Sequence, residues 1–210
     1  IGRYSTKGEV QSMEPFAASS IPLVALGTFI LWMGWFGFNG GSQLALGSYE
    51  DATAMSTIFI NTQLAACGGC LSAAVVTRLV GGKTDVIMML NGCLAGLVSI
   101  TAEPLMPSPI LAIIIGAVGG IIMYVGTNFL NSMKLDDVVG AIPVHMFAGI
   151  WGTMIVPLSN PDTSYVTQFI GVAAVIAFVF IVSYIVLLII KNTIGPVSYT
   201  HLTLPTKRIV

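Results

Sequence analysis

Six apolar segments fill most of this chain, near residues 20–38, 53–79, 86–102, 109–132, 139–158 and 163–190. Each is about 17 residues or longer, enough to cross a ~30 Å hydrocarbon core as a helix. The connectors are short and rich in Gly, Pro, Ser, Asn and Asp, which marks them as turns and loops. Charged residues make up 8% of the sequence, against about 25% in a soluble domain. The expected fold is therefore all-α: a multi-pass helical membrane protein in a lipid bilayer.

The charges sort by side. With six alternating spans, Arg3, Lys7, Arg78, Lys83, Lys134 and Lys191 fall in alternate connectors on one side. The opposite connectors hold Glu50, Asp51, Glu103 and Asp162, with no Lys or Arg. Lys and Arg accumulate on the cytoplasmic side, so both ends of the chain, including the C-terminus, are expected in the cytoplasm. A miscount of one span would scramble this order. The net charge of −1 and the lack of a basic stripe argue against nucleic acid as a partner.

Residue 1 is Ile, and no cleavable signal pattern precedes the first span. The chain thus reads as a piece of something longer, with residues 1–19 a connector and 20–195 the membrane domain.

The spans differ in kind. Ala65, Gly69, Ser72 and Ala73 in the second, Gly92, Ala95, Gly96 and Ser99 in the third, and Ala112, Gly116, Gly119 and Gly120 in the fourth form small-residue faces. Such faces suit the inside of a tight bundle. From Val172 to Ile190 the sixth span has no glycine and is dominated by Val, Ile, Leu and Phe, so it belongs outside the bundle.

A few polar residues stand inside these spans. His145 lies in Pro143-Val144-His145-Met146-Phe147-Ala148-Gly149-Ile150-Trp151-Gly152. On a regular helix its neighbours at i−4, i+3, i+4 and i+7 are Ala141, Ala148, Gly149 and Gly152, a face that approaches other helices closely. Neutral imidazole is both donor and acceptor. It can pass a small polar solute or a proton, or it can be a structural group bonded to a neighbouring carbonyl. Asp136 and Asp137 are placed to cap the fifth helix at its N-terminus. Asn61, Thr62, Gln63 and Asn91 suit packing hydrogen bonds between helices.

Cys67-x-x-Cys70 could be a redox or metal pair, but without a nearby His or third Cys it reads as two small packing residues; no metal or cofactor is expected. Gly81-Gly82-Lys83 lacks the rest of a P-loop and reads as a turn. Gly34-Trp35-Phe36-Gly37-Phe38-Asn39-Gly40-Gly41-Ser42 is a Gly-rich break at the non-cytoplasmic mouth. Its aromatic faces and hydroxyl could form a vestibule for a cation. No nucleophile–base pair is visible, so an enzyme is not expected.

Three stretches in register resemble the ammonium transporter (Amt/Mep/Rh) family: Gly34 to Ser42; Asn91-Gly92-Cys93-Leu94-Ala95-Gly96-Leu97-Val98-Ser99-Ile100-Thr101; and Asp136-Asp137 through Pro143-Val144-His145 to Gly149-Ile150-Trp151-Gly152. The resemblance runs from about Ser20 to Gly195. It implies an eleven-helix bundle of two inverted halves of five plus a final helix, with the six spans here corresponding to helices six to eleven. It further implies a homotrimer in the plasma or inner cell membrane, and it admits a cytoplasmic regulator of the PII type.

By position, Phe38 matches one of two stacked phenylalanines that gate the pore entrance. Ser42 matches the hydroxyl of the external ammonium-recruitment site, and His145 matches the second pore histidine. Trp35 joins them in the pathway, and Asp137 matches an acidic, usually structural residue. The recruitment tryptophan, the other gating phenylalanine and the first pore histidine belong to helices not in this sequence. Gly140 stands where the family is often acidic. The implied activity is ammonium/ammonia transport through a hydrophobic pore, with the fragment alone inactive. An ammonium sensor of the same family and an unrelated small-solute channel are the alternatives.

Past Gly195, Val197-Ser198-Tyr199-Thr200-His201-Leu202-Thr203-Leu204-Pro205-Thr206 resembles the translation of a common transposon-based sequencing adapter. The two adapter bases before it turn a codon beginning with C into a proline codon, which accounts for Pro196. Residues 196–210 are therefore expected to be a non-native tail, and His201 receives no role.

Overall fold

The computed structural model describes residues 20–135 and 137–193. The connector 1–19, the expected non-native tail 196–210 and Asp136 lie outside the described residues. Among the described residues every regular element is helical: α1 (Ile21–Gly41), α2 (Tyr49–Gly81), α3 (Val86–Thr101), α4 (Pro109–Ser132), a π-helical turn (Ile142–Phe147) running into α5 (Ala148–Ile155), a 3-10 turn (Val156–Leu158) and α6 (Tyr165–Thr193).

Short polar side chains start the helices by accepting orphan backbone N–H groups. Ser20 accepts Leu23 N–H at 3.4 Å, Asp85 accepts Met88 N–H at 3.0 Å, and Ser108 accepts Leu111 N–H at 3.3 Å. Ser48 and Asp51 form a reciprocal capping box. That box extends α2 four residues before the apolar run begins. At its other end Gly82, with φ +74°, turns the chain as the Gly81-Gly82-Lys83 reading expects.

Helices α1, α2, α4 and α6 are long and apolar enough to cross a membrane, while Val86–Thr101 and Ile142–Leu158 are shorter apolar helices. Eight of the sixteen residues of α3 are buried, so it runs inside protein rather than against lipid.

The core is a backbone weave of α2, α3 and α4. A Cβ added at Gly96 or at Gly116 would strike the Ala65 carbonyl oxygen, and one at Gly69 would strike the Gly92 carbonyl oxygen. The small faces read from the sequence are therefore where the three helices meet. Asn61, fully buried, donates to the Pro104 and Pro107 carbonyls at 2.9 and 2.8 Å and holds the α3–α4 connector. By contrast α6 buries no residue at all, in line with its expected place outside the bundle. Buried positions on α1 are limited to Thr28, Asn39 and Gly40.

Two expectations need correction. The Gly-rich stretch 34–42 does not break α1, which stays helical to Gly41; the cost of each glycine there is about 1 kcal/mol. And the fifth helix begins at Ile142 rather than near 139, because Gly140 adopts φ +75° and turns the chain just before it.

Candidate functional site

The segment carrying His145 is built from its N-terminus. The Asp137 carboxylate reaches across the Gly140 turn and accepts Ala141 N–H at 2.8 Å and Ile142 N–H at 2.7 Å. Both bonds satisfy backbone N–H groups at the start of the segment. Asn91 of α3 donates to the Val139 carbonyl at 3.3 Å and braces the same turn. Pro143 brings no N–H, and Ala148 N–H reaches back five residues to the Pro143 carbonyl, so the turn from Ile142 to Phe147 is π-helical.

Both flanks of that turn are pinned. The Phe147 ring lies against Gly126 of α4, where any Cβ would collide with it. Val144, 2% exposed, enters the core beside Leu97 and Met123. The extra residue in the turn changes which residues share a face. Ala148 and Gly152 are buried, and Gly152 sits against Ser99 of α3. His145 does not share their face: it is exposed and points toward α1. The regular-helix face expected from the sequence thus splits in two, with the small residues packing on α3 and the imidazole turned away from them.

On α1 the Trp35 ring stacks on His145, centroids 6.4 Å apart and planes 10° from parallel. The same indole meets Phe38 at 6.0 Å and 52°. Phe38 is 63% exposed. One turn further, the exposed Ser42 hydroxyl donates its proton to the Phe38 carbonyl at 2.9 Å, which leaves its lone pairs free to accept. The structure therefore brings Trp35, Phe38 and His145 into ring contact and sets Ser42 beside them. Among the described residues neither nitrogen of His145 has a hydrogen-bond partner, so the carbonyl-bonded alternative has no support. His145 also borders a cavity of about 610 Å³ between α5 and α6, lined by Gly149, Thr153, Val175, Ile176 and Phe180 among others. His145 and Thr153 are its polar lining side chains.

Other polar groups do structural work. Asn39 donates to Thr62 at 2.9 Å and ties α1 to α2, as packing between spans requires. The Glu103 carboxylate accepts Asn160 Nδ2–H at 2.9 Å and joins two non-consecutive connectors, a role its charge alone does not signal. Cys67, Cys70 and Cys93 are free thiols. Cys93 of α3 packs beside Cys70, so the pair does have a third cysteine near it in space. Thr101 accepts the Trp35 Nε1–H at 2.7 Å. Sixty-six positions separate these two residues, and no local pattern announces their bond.

Apolar helices around a backbone weave, with an aromatic–imidazole contact at a largely uncovered helix, define an all-helical protein of the multi-pass membrane class. A sequence model of the Ammonium Transporter Family matches residues 1–202. The chain belongs to that family.

Its relatives include ammonium transporter Amt2 of Archaeoglobus fulgidus, 43% identical over 152 residues, which cover 72% of this chain and 31% of the relative. A putative ammonium transporter of Synechocystis is 38% identical over 175 residues, 81% of this chain and 39% of that protein. Among solved structures, a sensor Amt protein superposes with a TM-score of 0.78 at 31% identity, covering 84% of this chain and 45% of that one. Mep2 of Candida albicans gives 0.76 at 27% identity, covering 83% and 42%. The chain thus spans between about a third and a half of the length of these proteins.

Proposed function

We propose that this chain forms part of the conduction path of an ammonium transporter, with Phe38 and Ser42 at the non-cytoplasmic mouth and Trp35 and His145 deeper along the path. The observation that carries this reading is the stack of Trp35 on His145 with Phe38 at its edge, within a member of this family.

The physics favours stripping a proton before passage. A bare ion in a low-dielectric path costs several kcal/mol even after relaxation, whereas neutral ammonia carries no such charge penalty. At the mouth, aromatic faces attract the cation and the free lone pairs of Ser42 accept its N–H groups. Beyond Trp35, His145 offers a donor and an acceptor to ammonia and can relay the proton. Asp137 holds the N-terminus of the segment on which His145 stands. The full assembly is a homotrimer in the cell membrane with the C-terminus in the cytoplasm, open there to a PII-type regulator. Transport rather than sensing is the reading adopted, because the sequence relatives described above carry transporter names; one structural neighbour is called a sensor.

The test is complementation of cells lacking ammonium uptake. The chain joined to the N-terminal portion of the Archaeoglobus relative restores growth on low ammonium, and the 210-residue chain alone does not. Transport paths in inverted-repeat proteins run between repeats, so rescue by the chain alone would overturn the shared-path reading. Failure of a well-expressed chimaera would count against transport.

A further inference from the structure

Thr101 ends α3, and its hydroxyl makes two bonds at once. It donates its proton to the Leu97 carbonyl at 2.7 Å and accepts Nε1–H of Trp35 at 2.7 Å. With its proton committed to Leu97, the hydroxyl can meet the indole only as an acceptor. The other two tryptophans are placed differently. Trp151 donates to the Ile115 backbone carbonyl at 3.0 Å, and Trp32 Nε1 is buried without a partner. Of the three, only Trp35 is held by a side chain.

That tie has unusual leverage. Three buried residues on α1 leave its position to a few contacts, and the polar ones to neighbouring helices are Asn39 to Thr62 and Trp35 to Thr101. An indole free to rotate about its two side-chain torsions would not keep one face on His145. Fixing Nε1 fixes the ring plane.

We infer that Thr101 is a positioning residue for the conduction path: its hydroxyl engages Trp35 Nε1–H, sets the indole face parallel to His145, and withholds the indole N–H from passing solute. This rests on the path proposed above. Held so, Trp35 presents π surface, which attracts a cation, and no donor that would capture the lone pair of neutral ammonia. Trp35 then guides without binding, and His145 remains the hydrogen-bonding stop.

The test has two arms. In the first, ultraviolet resonance Raman spectra of the 210-residue chain in detergent report the indole N–H hydrogen bond, with Trp35→Phe subtracted to isolate Trp35. Thr101→Val moves the Trp35 band to a weak-bond position, and Thr101→Ser leaves it in place. In the second, uptake is measured in the chimaera with the Archaeoglobus relative. Thr101→Val lowers the rate about three- to tenfold, the range expected for loss of one hydrogen bond at a partly buried donor, and Thr101→Ser recovers most of it. In a Trp35→Phe background, Thr101→Val adds nothing further.

A full-sized Thr101→Val effect in the Trp35→Phe background would overturn the positioning role, as would normal uptake alongside a shifted band. An unshifted band overturns the bond alone. Uptake indifferent to Trp35→Phe itself overturns the path reading, and the positioning role falls with it. Trp35→Phe removes the same bond from its other partner, so the question stays open to test if Thr101→Val fails to fold.

Discussion

The ring of Trp35 on α1 lies parallel to the ring of His145 on the π-helical turn, 6.4 Å between centroids. One lies near the end of the first helix and the other in the fifth, yet a single aromatic face is set against a single imidazole.

Removing that imidazole tests its use. His145 is exposed in this chain and has no hydrogen-bond partner among the described residues, so His145→Ala changes stability by no more than about 0.5 kcal/mol. In the chimaera it lowers or alters conduction by about a hundredfold, the low end for a positioned proton-transfer group. Ammonium currents and ammonia flux equal to wild type, in a mutant expressed at wild-type level, would remove His145 from the path.

Glycines on the weave and glycines on α1 behave oppositely. At Gly116 any side chain strikes the Ala65 carbonyl, while Gly34 has open space around it. Gly116→Ala therefore destabilises the chain by about 1–3 kcal/mol. Gly34→Ala is neutral or stabilising by up to about 1 kcal/mol. Thermal unfolding of both variants in the same detergent checks the contrast, and equal shifts would refute it.

Asp137 anchors the turn that carries His145. Asp137→Ala removes the acceptor for two backbone N–H groups and costs about 1–2 kcal/mol. Hydrogen–deuterium exchange shows it locally: the Ala141 and Ile142 amides exchange at least about tenfold faster, while amides of α2 do not change. Unchanged exchange at 141 and 142 would refute the cap.

Sidedness follows from the charges. A membrane-impermeant maleimide applied from outside labels Ser48→Cys and does not label Lys83→Cys. The reverse pattern would overturn the proposed orientation.

The tail is tested on nucleic acid. Amplification of source DNA across codon 196 yields a sequence that departs from residues 196–210. An unbroken read encoding Val197 to Thr206 would refute the adapter reading.

Much of the fold was legible because lipid imposes simple rules. Long apolar runs gave the helices, and Gly69, Gly96 and Gly116 marked their contacts, since backbone approach requires the absence of a side chain. The ring-bearing residues singled out by motif, Trp35, Phe38 and His145, lie in ring contact through Trp35. What escaped depends on distant partners or on a local deviation. The bond from Thr101 to Trp35 joins residues without any common periodicity. Cys93 meets Cys70 because α2 and α3 touch at Gly69 and Gly92. The π-helical turn moved His145 off the small face, since a regular period was assumed through Pro143 and Gly140, the residues that disturb it.

The weave of α2, α3 and α4 also sets which parts can move. Where side chains pack on side chains, a helix can slide as rotamers change. Here carbonyls and α-carbons touch directly, and a backbone has no rotamers to give. Three helices therefore form one stiff block, the stator of the chain. The turn bearing His145 is pinned to that block by Val144 and Phe147, whereas α1 buries only three residues, so a change in the spacing between indole and imidazole falls to α1.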